Sequence, residues 1–302
     1  MKMKIIIILL ILTITQSIYS AKNFKEFFNN FKPLKSITFE ATIINKEKLK
    51  NLDDKIKNYL SKIETSINYN RTNQEIKIST IKENINKIKN DLSKKHSVYF
   101  LEEDLESINL SSELVKNTKN LPNNITTGED SYDTAKGGRV EYRFFRTKSD
   151  TAKDENNLKE FIKTLKLKKG YKIYYKKEGY KKKLYYKTFV LKNDLSISGY
   201  LIKDSYVGLD KYINSPTILL IFNNKGKKLF ANLTKRIAGH RLAIVIDGII
   251  NTIPVVNEEI PGGKIQITFG TSLSSKEQIK KANKLARQLL TSSFTDFIKL
   301  KK

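Results

Sequence analysis

Five consecutive apolar residues, Leu242 to Ile246, run into Asp247-Gly248, and the chain returns through Ile249, Ile250 and Ile253. Asp-Gly between two short apolar runs is a strong signal for a tight β-hairpin. A strand apolar on both faces needs structure above and below it, so this segment alone commits the chain to a sheet packed between layers. That packing has no covalent help. The chain holds no cysteine, which excludes disulfide staples, cysteine-based metal sites and a thiol nucleophile. With 302 residues, 39% of them hydrophobic, there is enough material for about two ordinary cores.

Charge says less than it first suggests. Lys and Arg number 57 against 31 Asp and Glu, a formal net charge of +26. Lys, Ile and Asn dominate almost everywhere, however, so part of that excess is a compositional bias. The N-terminus is more specific. Lys2 and Lys4 precede the unbroken apolar run Ile5 to Leu12, then Thr15, Gln16 and Ser17, then the small residues Ser20 and Ala21. This is the layout of a secretory signal. Ile5 to Tyr19 falls short of the ~20 apolar residues that cross a bilayer. Residues 1–21 are therefore expected to be a signal peptide or N-terminal anchor, with the body exported to the outer side of the cytoplasmic membrane.

Periodicity gives an α+β chain. Phe24, Phe27, Phe28 and Phe31 fall at helical spacing, Ile37 to Ile44 alternates as a strand, and Lys46 to Ile67 follows a 3.6-residue apolar period. A strand near Glu75 to Ser79 and a helix carrying Ile81, Ile85, Ile88 and Leu92 come next. Lys116 to Gly138 is rich in Asn, Thr, Gly, Asp and Ser, and reads as a loop or linker. Arg139 to Arg146 alternates as a strand, and a helix is expected over Asn156 to Leu167. Lys166 to Lys187 then holds ten lysines and six tyrosines around Lys177-Glu178-Gly179, the pattern of a hairpin. Thr217 to Phe222 is a buried-type strand, Asn223 or Asn224 caps the following helix, and Gly239 ends it. Ile265 to Phe269 is a strand, and the last helix opens on a Ser274/Glu277 capping pair.

The inventory offers little to catalysis. His96 and His240 are the two imidazoles, neither in a metal-binding spacing, and His240 suits the end of the preceding helix. Glu258 and Glu259 are adjacent and diverge in an extended segment. No catalytic, cofactor-binding or metal site is expected, and no cofactor. The Lys/Tyr hairpin invites a binding role through Tyr171, Tyr174, Tyr175, Tyr180, Lys181, Lys182, Lys183, Tyr185 and Tyr186. Such residues suit single-stranded nucleic acid, which export disfavours. An anionic lipid surface or polymer is the better fit, and strand addition of an extended peptide is another.

Gly239 to Phe269, G-H-R-L-A-I-V-I-D-G-I-I-N-T-I-P-V-V-N-E-E-I-P-G-G-K-I-Q-I-T-F, resembles the hallmark of SecD, the Sec-translocon accessory subunit. That family carries G-x-R-L-A-I-V-L-D-G, then A-P-V-I-N-E-x-I and G-G-x-x-x-I in its first periplasmic domain. Phe189 to Ser205 is similar to the family's L-x-G-x-x-L-x-D-A link, and Arg139 to Phe145 to its L-E-F-R strand. The motif falls on Arg241, Asp247, Gly248, Pro254, Asn257, Glu258, Gly262 and Gly263, whose implied role is mainly structural. The resemblance implies a ferredoxin-like split base of βαβ halves with an inserted head subdomain, and places the Leu242 and Ile265 segments in one sheet. The segments are then 22–138 as the N-terminal half, 139–188 as the head and 189–302 as the SecD-like C-terminal half. It also implies unfolded or secretory polypeptide as ligand, with a SecF-like protein or other Sec translocon subunits as partners. The family's D-L-x-G-G motif has no counterpart in residues 21–36, and Lys302 stands where its membrane helices would begin. The expectation is a component of export that is not itself a proton-driven motor.

Overall fold

The computed structural model describes residues 37–43, 49–61, 68–71, 75–80, 82–93, 96–134, 137–180, 183–194, 197–210, 215–268, 275–292 and 298–300. The leader, the Phe24–Phe31 helix, Lys181, Lys182 and the Ser274 cap lie outside these. Among the described residues no helix is long and apolar enough to cross a membrane.

The first unit is assembled from both ends of the chain. It comprises β1 (Ile37–Ile43), α1 (Leu49–Ser61), β2 (Asn68–Arg71), β3 (Glu75–Thr80), α2 (Lys82–Ser93) and, after a long excursion, β14 (Ile298–Leu300). Its strand order is β14-β1-β3-β2, and every neighbouring pair is antiparallel. Ile56, Tyr59 and Leu60 of α1 and Ile88 and Leu92 of α2 are buried, the inward stripes that their i, i+3 and i+4 spacing demands. Lys55 bolts α1 to the rest, its Nζ donating to the carbonyls of Gly199 at 2.9 Å and Ser292 at 2.7 Å.

The excursion builds two further sheets. Seven strands come from β4 (Val98–Glu103), β5 (Ile125–Asp133), β6 (Arg139–Thr147), β7 (Tyr171–Tyr180), β8 (Lys183–Lys192), β11 (Arg241–Ile246) and β12 (Ile249–Thr252). Their order is β4-β11-β12-β7-β8-β6-β5, antiparallel except where β12 meets β7. Helices α3 (Leu105–Asn117) and α4 (Ala152–Thr164) belong to this region. The other sheet is β9 (Ile202–Leu209), β10 (Pro216–Phe222) and β13 (Lys264–Thr268), ordered β13-β10-β9, with α5 (Asn224–Arg236) and α6 (Ser275–Thr291). Asp104, Thr151 and Asn223 cap α3, α4 and α5 by accepting from the backbone N–H three residues on.

Leu242 to Ile246 is buried on both faces, as its apolar run requires. Leu242, Ile244 and Ile246 join Val98 and Phe100 of β4 in a core closed by Leu220 and Phe222 of β10, Phe230 of α5 and Leu285 of α6. Phe100, Phe222 and Phe230 pack with ring centroids 4.9–6.0 Å apart. On the opposite face Ala243 and Val245 meet Leu101, Tyr174, Phe189 and Leu191. Each buried Val, Leu, Ile or Phe among them contributes about 1.5–3 kcal/mol by leaving water.

Three expectations are corrected. The Leu242 and Ile265 segments lie in different sheets. The chain stays beside the start of β11 as far as Val256 and then turns away, and the Phe222 N–H donates to Gly263 O at 2.9 Å, so the returning strand pairs with β10. The stretch expected as a linker, Lys116 to Gly138, contains the nine-residue strand β5. The seven-stranded sheet also draws on all three expected segments, because β4–β11 pairing joins residues far apart in sequence.

Candidate functional site

The motif residues are easiest to read as a chain of fastenings. Asp247 (φ +53°) and Gly248 (φ +80°) both adopt the left-handed backbone that a two-residue hairpin turn needs. The Asp247 carboxylate accepts the Ser97 N–H at 2.9 Å and contacts His96 Nδ1 at 2.7 Å, while its own N–H donates to Ser97 O at 2.9 Å. The turn thereby fixes the start of β4. The His96–Asp247 contact therefore reinforces the join between the turn and the residues that lead into β4.

Beyond β12 the chain is stapled at both ends of a projecting loop. Leu242 N–H donates to Pro254 O at 2.9 Å and Val256 N–H to His240 O at 2.8 Å. Ile260 N–H donates to Thr234 Oγ1 at 2.9 Å. Gly263 sits at φ +63°, and a Cβ there would lie 2.9 Å from Lys227 Cβ, so only glycine fits against α5. Between the staples Pro254, Asn257, Glu258 and Gly262 are exposed. Asn257 and Glu258 have no side-chain partner among the described residues.

Arg241 is the buried charged member of the motif, 7% exposed. Its guanidinium lies 4.2 Å from the Tyr132 ring centroid and 4.6 Å from that of Tyr142. Nε donates to the buried Glu103 carboxylate, and Nη1 to Tyr142 Oη at 3.1 Å. Burial opposes the Arg241 charge, but Glu103 and Tyr142 outweigh it and raise the pKa. Burial, with the Glu103 carboxylate beside it, pushes the Tyr132 phenol to about 12.

The same sheet face carries a second buried cation. Lys187 is 1% exposed; its Nζ donates to Asp130 Oδ2 and to Tyr142 Oη at 2.8 Å, with Glu178 at 3.5 Å. It lies 4.2 Å from the Phe144 centroid. Tyr142 thus bridges Arg241 and Lys187, and an ionic and aromatic layer ties β4, β11, β6, β8 and β5 together. Lys187 looked like any other of the ten lysines in sequence, and its partner Asp130 is 57 residues away.

The Lys/Tyr hairpin is largely interior. Tyr174, Tyr175 and Tyr186 are buried, which removes them as a surface for stacking or lipid contact. Tyr175 donates to Glu155 Oε1 at 2.8 Å and Tyr186 to Glu155 Oε2 at 3.0 Å, across to α4. Tyr171 donates to Asp104 Oδ2 at 3.1 Å, and the Arg146 guanidinium lies 5.2 Å from the half-buried Tyr185 ring. Lys183 is exposed at the hairpin tip beside Tyr180. A cleft of about 1120 Å³ lies elsewhere, between the loop after α3 and helix α4, lined by Leu121, Pro122, Phe161 and Leu165 with several asparagines.

Residues 172–295 match the family model described as SecDF, P1 head subdomain. Over this region the chain is similar to SecD. Protein translocase subunit SecD of Desulfurispirillum indicum is 40% identical over 80 residues, 26% of this chain and 16% of that protein. The SecD of Rhodothermus marinus is 37% identical over 95 residues, 32% of this chain and 14% of that protein. The chain thus spans a small fraction of the length of these relatives. A solved structure of a membrane component SecDF that enhances protein export aligns over 88% of this chain and 98% of that one, at 15% identity and a TM-score of 0.42. The matched residues include every motif residue from Arg241 to Gly263 and overlap the stretch 139–188, expected as the head, at 172–188.

Proposed function

We propose that this protein is an exported SecD-like component that assists protein export, holding unfolded or translocating polypeptide on the outer side of the cytoplasmic membrane without being a proton-driven motor. The observation that carries this reading is the continuous SecDF P1 head match over 172–295, which includes the solvent-facing Asn257–Glu258 loop. The topology supports it. Numbered within their own sheet, β1, β2, β3 and β14 stand in the order 4-1-3-2 with α1 and α2 as crossovers, the order of a ferredoxin-like unit. On this reading the split base is 37–93 with 298–300, and the head is inserted after α2. Residues 1–21 act as signal or anchor, and a SecF-like protein or other translocon subunits are the partners. The role is non-enzymatic, with motif residues serving mainly to hold the loop and hairpin in place.

Binding of anionic lipid or polymer through the Lys/Tyr hairpin is the weaker reading, since burial of Tyr174, Tyr175 and Tyr186 leaves it chiefly exposed lysines such as Lys172 and Lys183. Crosslinking in membranes followed by affinity capture tests the proposal. Recovery of translocon subunits or nascent secretory chains is expected. Recovery of neither, with binding to anionic vesicles that collapses between low and moderate salt, would replace it with the lipid reading.

A further inference from the structure

β5 ends the seven-stranded sheet, and its one strand partner among the described residues is β6. The register is uninterrupted from Ile125↔Thr147 to Asp133↔Arg139. Its hydrogen-bonded pairs are fixed at both ends, where Lys148 N–H donates to Asn124 O at 3.0 Å and Thr134 N–H to Gly138 O at 2.7 Å. In an antiparallel ladder bonded pairs alternate, so the even-numbered residues of β5 face β6 and the odd-numbered ones turn their N–H and C=O groups outward. Two of these outward donors are already used locally, Ile125 N–H by Pro122 O and Ser131 N–H by Asp130 Oδ1. The N–H groups of Thr127, Glu129 and Asp133 remain, on an edge about 20 Å long. Of the devices that usually block an open edge, β5 has no proline, no lysine and no bulge, and its charged side chains are all acidic.

The side chains select a partner. β5 carries Glu129, Asp130 and Asp133 and no basic residue, within a chain of net charge +26; Glu129 already pairs with Arg143 and Asp130 with Lys187, while Asp133 has no ion pair among the described residues. Glu129 and Asp133 share one face of the strand and Asp130 takes the other. A second copy pairing here in antiparallel fashion would set acids opposite acids, which is unfavourable, whereas basic residues in an added strand would meet opposite charges.

We infer that the outer edge of β5 is a strand-addition site for an extended polypeptide segment bearing lysine or arginine at alternate positions. This rests on the polypeptide-holding reading above and names which part of a client would be held: its main chain, with basic side chains setting the preference.

The test uses the full chain and a fluorescent ten-residue peptide of alternating Lys and Val, followed by anisotropy. Thr127→Pro removes an outward N–H with no partner among the described residues, and proline is tolerated at such an edge position. We expect an unchanged melting temperature and about tenfold weaker binding, equivalent to about 1.4 kcal/mol. Should the variant misfold, the same peptide N-methylated at alternate amides is applied to the native protein, and the same loss is expected. Glu129→Lys with Asp133→Lys should turn the preference toward an alternating Glu–Val peptide. Equal binding of methylated and unmethylated peptide overturns the inference, and so does a dimer that Thr127→Pro dissociates, which would give the edge to a second copy. Capture of nascent chains undiminished by Thr127→Pro sinks the edge and leaves the export reading standing. Peptide binding lost in Thr127→Pro, with no nascent chain captured by either protein, does the reverse.

Discussion

Two neighbouring hairpins of one sheet show how little composition says about availability. β7–β8 is loaded with lysine and tyrosine and looks like a binding surface, yet it lies between β12 and β6. Its tyrosines hold α4 through Glu155, and its central Lys187 is sealed in an aromatic box. β5–β6 begins in a stretch that reads as linker, and it supplies the end of the sheet. Strand order decides which hairpin faces a partner. The hairpin rich in candidate contacts is spent on the interior, and the plain one keeps free backbone groups.

The comparison breaks if charge in the interior hairpin can be removed as harmlessly as charge at the edge. Lys187→Ala should cost about 2–4 kcal/mol, because it empties a packed aromatic box and leaves Asp130 without its cation. Arg241→Ala should cost more, about 3–5 kcal/mol, since its partner Glu103 is 2% exposed and would be left a buried, unpaired carboxyl. Lys183→Ala at the exposed tip should stay within about 0.5 kcal/mol. Urea unfolding of the four proteins measures this, and a Lys187→Ala loss no larger than that of Lys183→Ala would show the interior assignment to be mistaken.

A smaller effect sharpens the same contrast. Tyr186→Phe keeps the ring against Tyr175 and removes the hydroxyl's bond to Glu155 together with its longer one to the Asp150 carbonyl. A loss of about 1–2 kcal/mol is expected in chemical denaturation, the range of a hydrogen bond to a charged acceptor. No loss would mean that the hydroxyl finds water as readily as Glu155, and that the hairpin is less interior than its burial indicates.

Much of this was open to a reader of the sequence, for physical reasons that also explain the failures. Asp247-Gly248 and the Asn223 cap are local features, set by residues within a few positions of each other, and the structure has them where the sequence puts them. β5 was hidden because an exposed edge strand needs few apolar side chains. I-T-T-G-E-D-S-Y-D has two large apolar residues and a composition that favours turns. The sheet membership of Lys264 to Thr268 depends on a contact with β10 some 45 residues earlier, and no local pattern encodes that choice. The ionic layer failed for the same reason. Lys187, Asp130, Tyr142, Arg241 and Glu103 come from five strands, and each is ordinary in its own neighbourhood.

The finest probe of the two hairpins is the ion pair that joins them, Asp130 to Lys187. Partial burial would raise the Asp130 carboxyl, but the Lys187 hydrogen bond, the Ser131 N–H and Tyr142 more than offset it and hold the group below the usual carboxylate range. A carboxyl depressed in the folded state stabilises the protein above its unfolded pKa, and that contribution disappears as pH falls through the folded value. Asp130 is 49% exposed, so solvent screening should keep the effect under about 1 kcal/mol. Native protein should therefore melt slightly above Asp130→Asn at pH 5 and above, with the gap closing as the solution is acidified below about pH 4. A gap that stays constant across that range would mean that the asparagine variant loses packing rather than charge, and that the hairpins are joined by aromatic packing and the β6–β8 hydrogen bonds rather than by this ion pair.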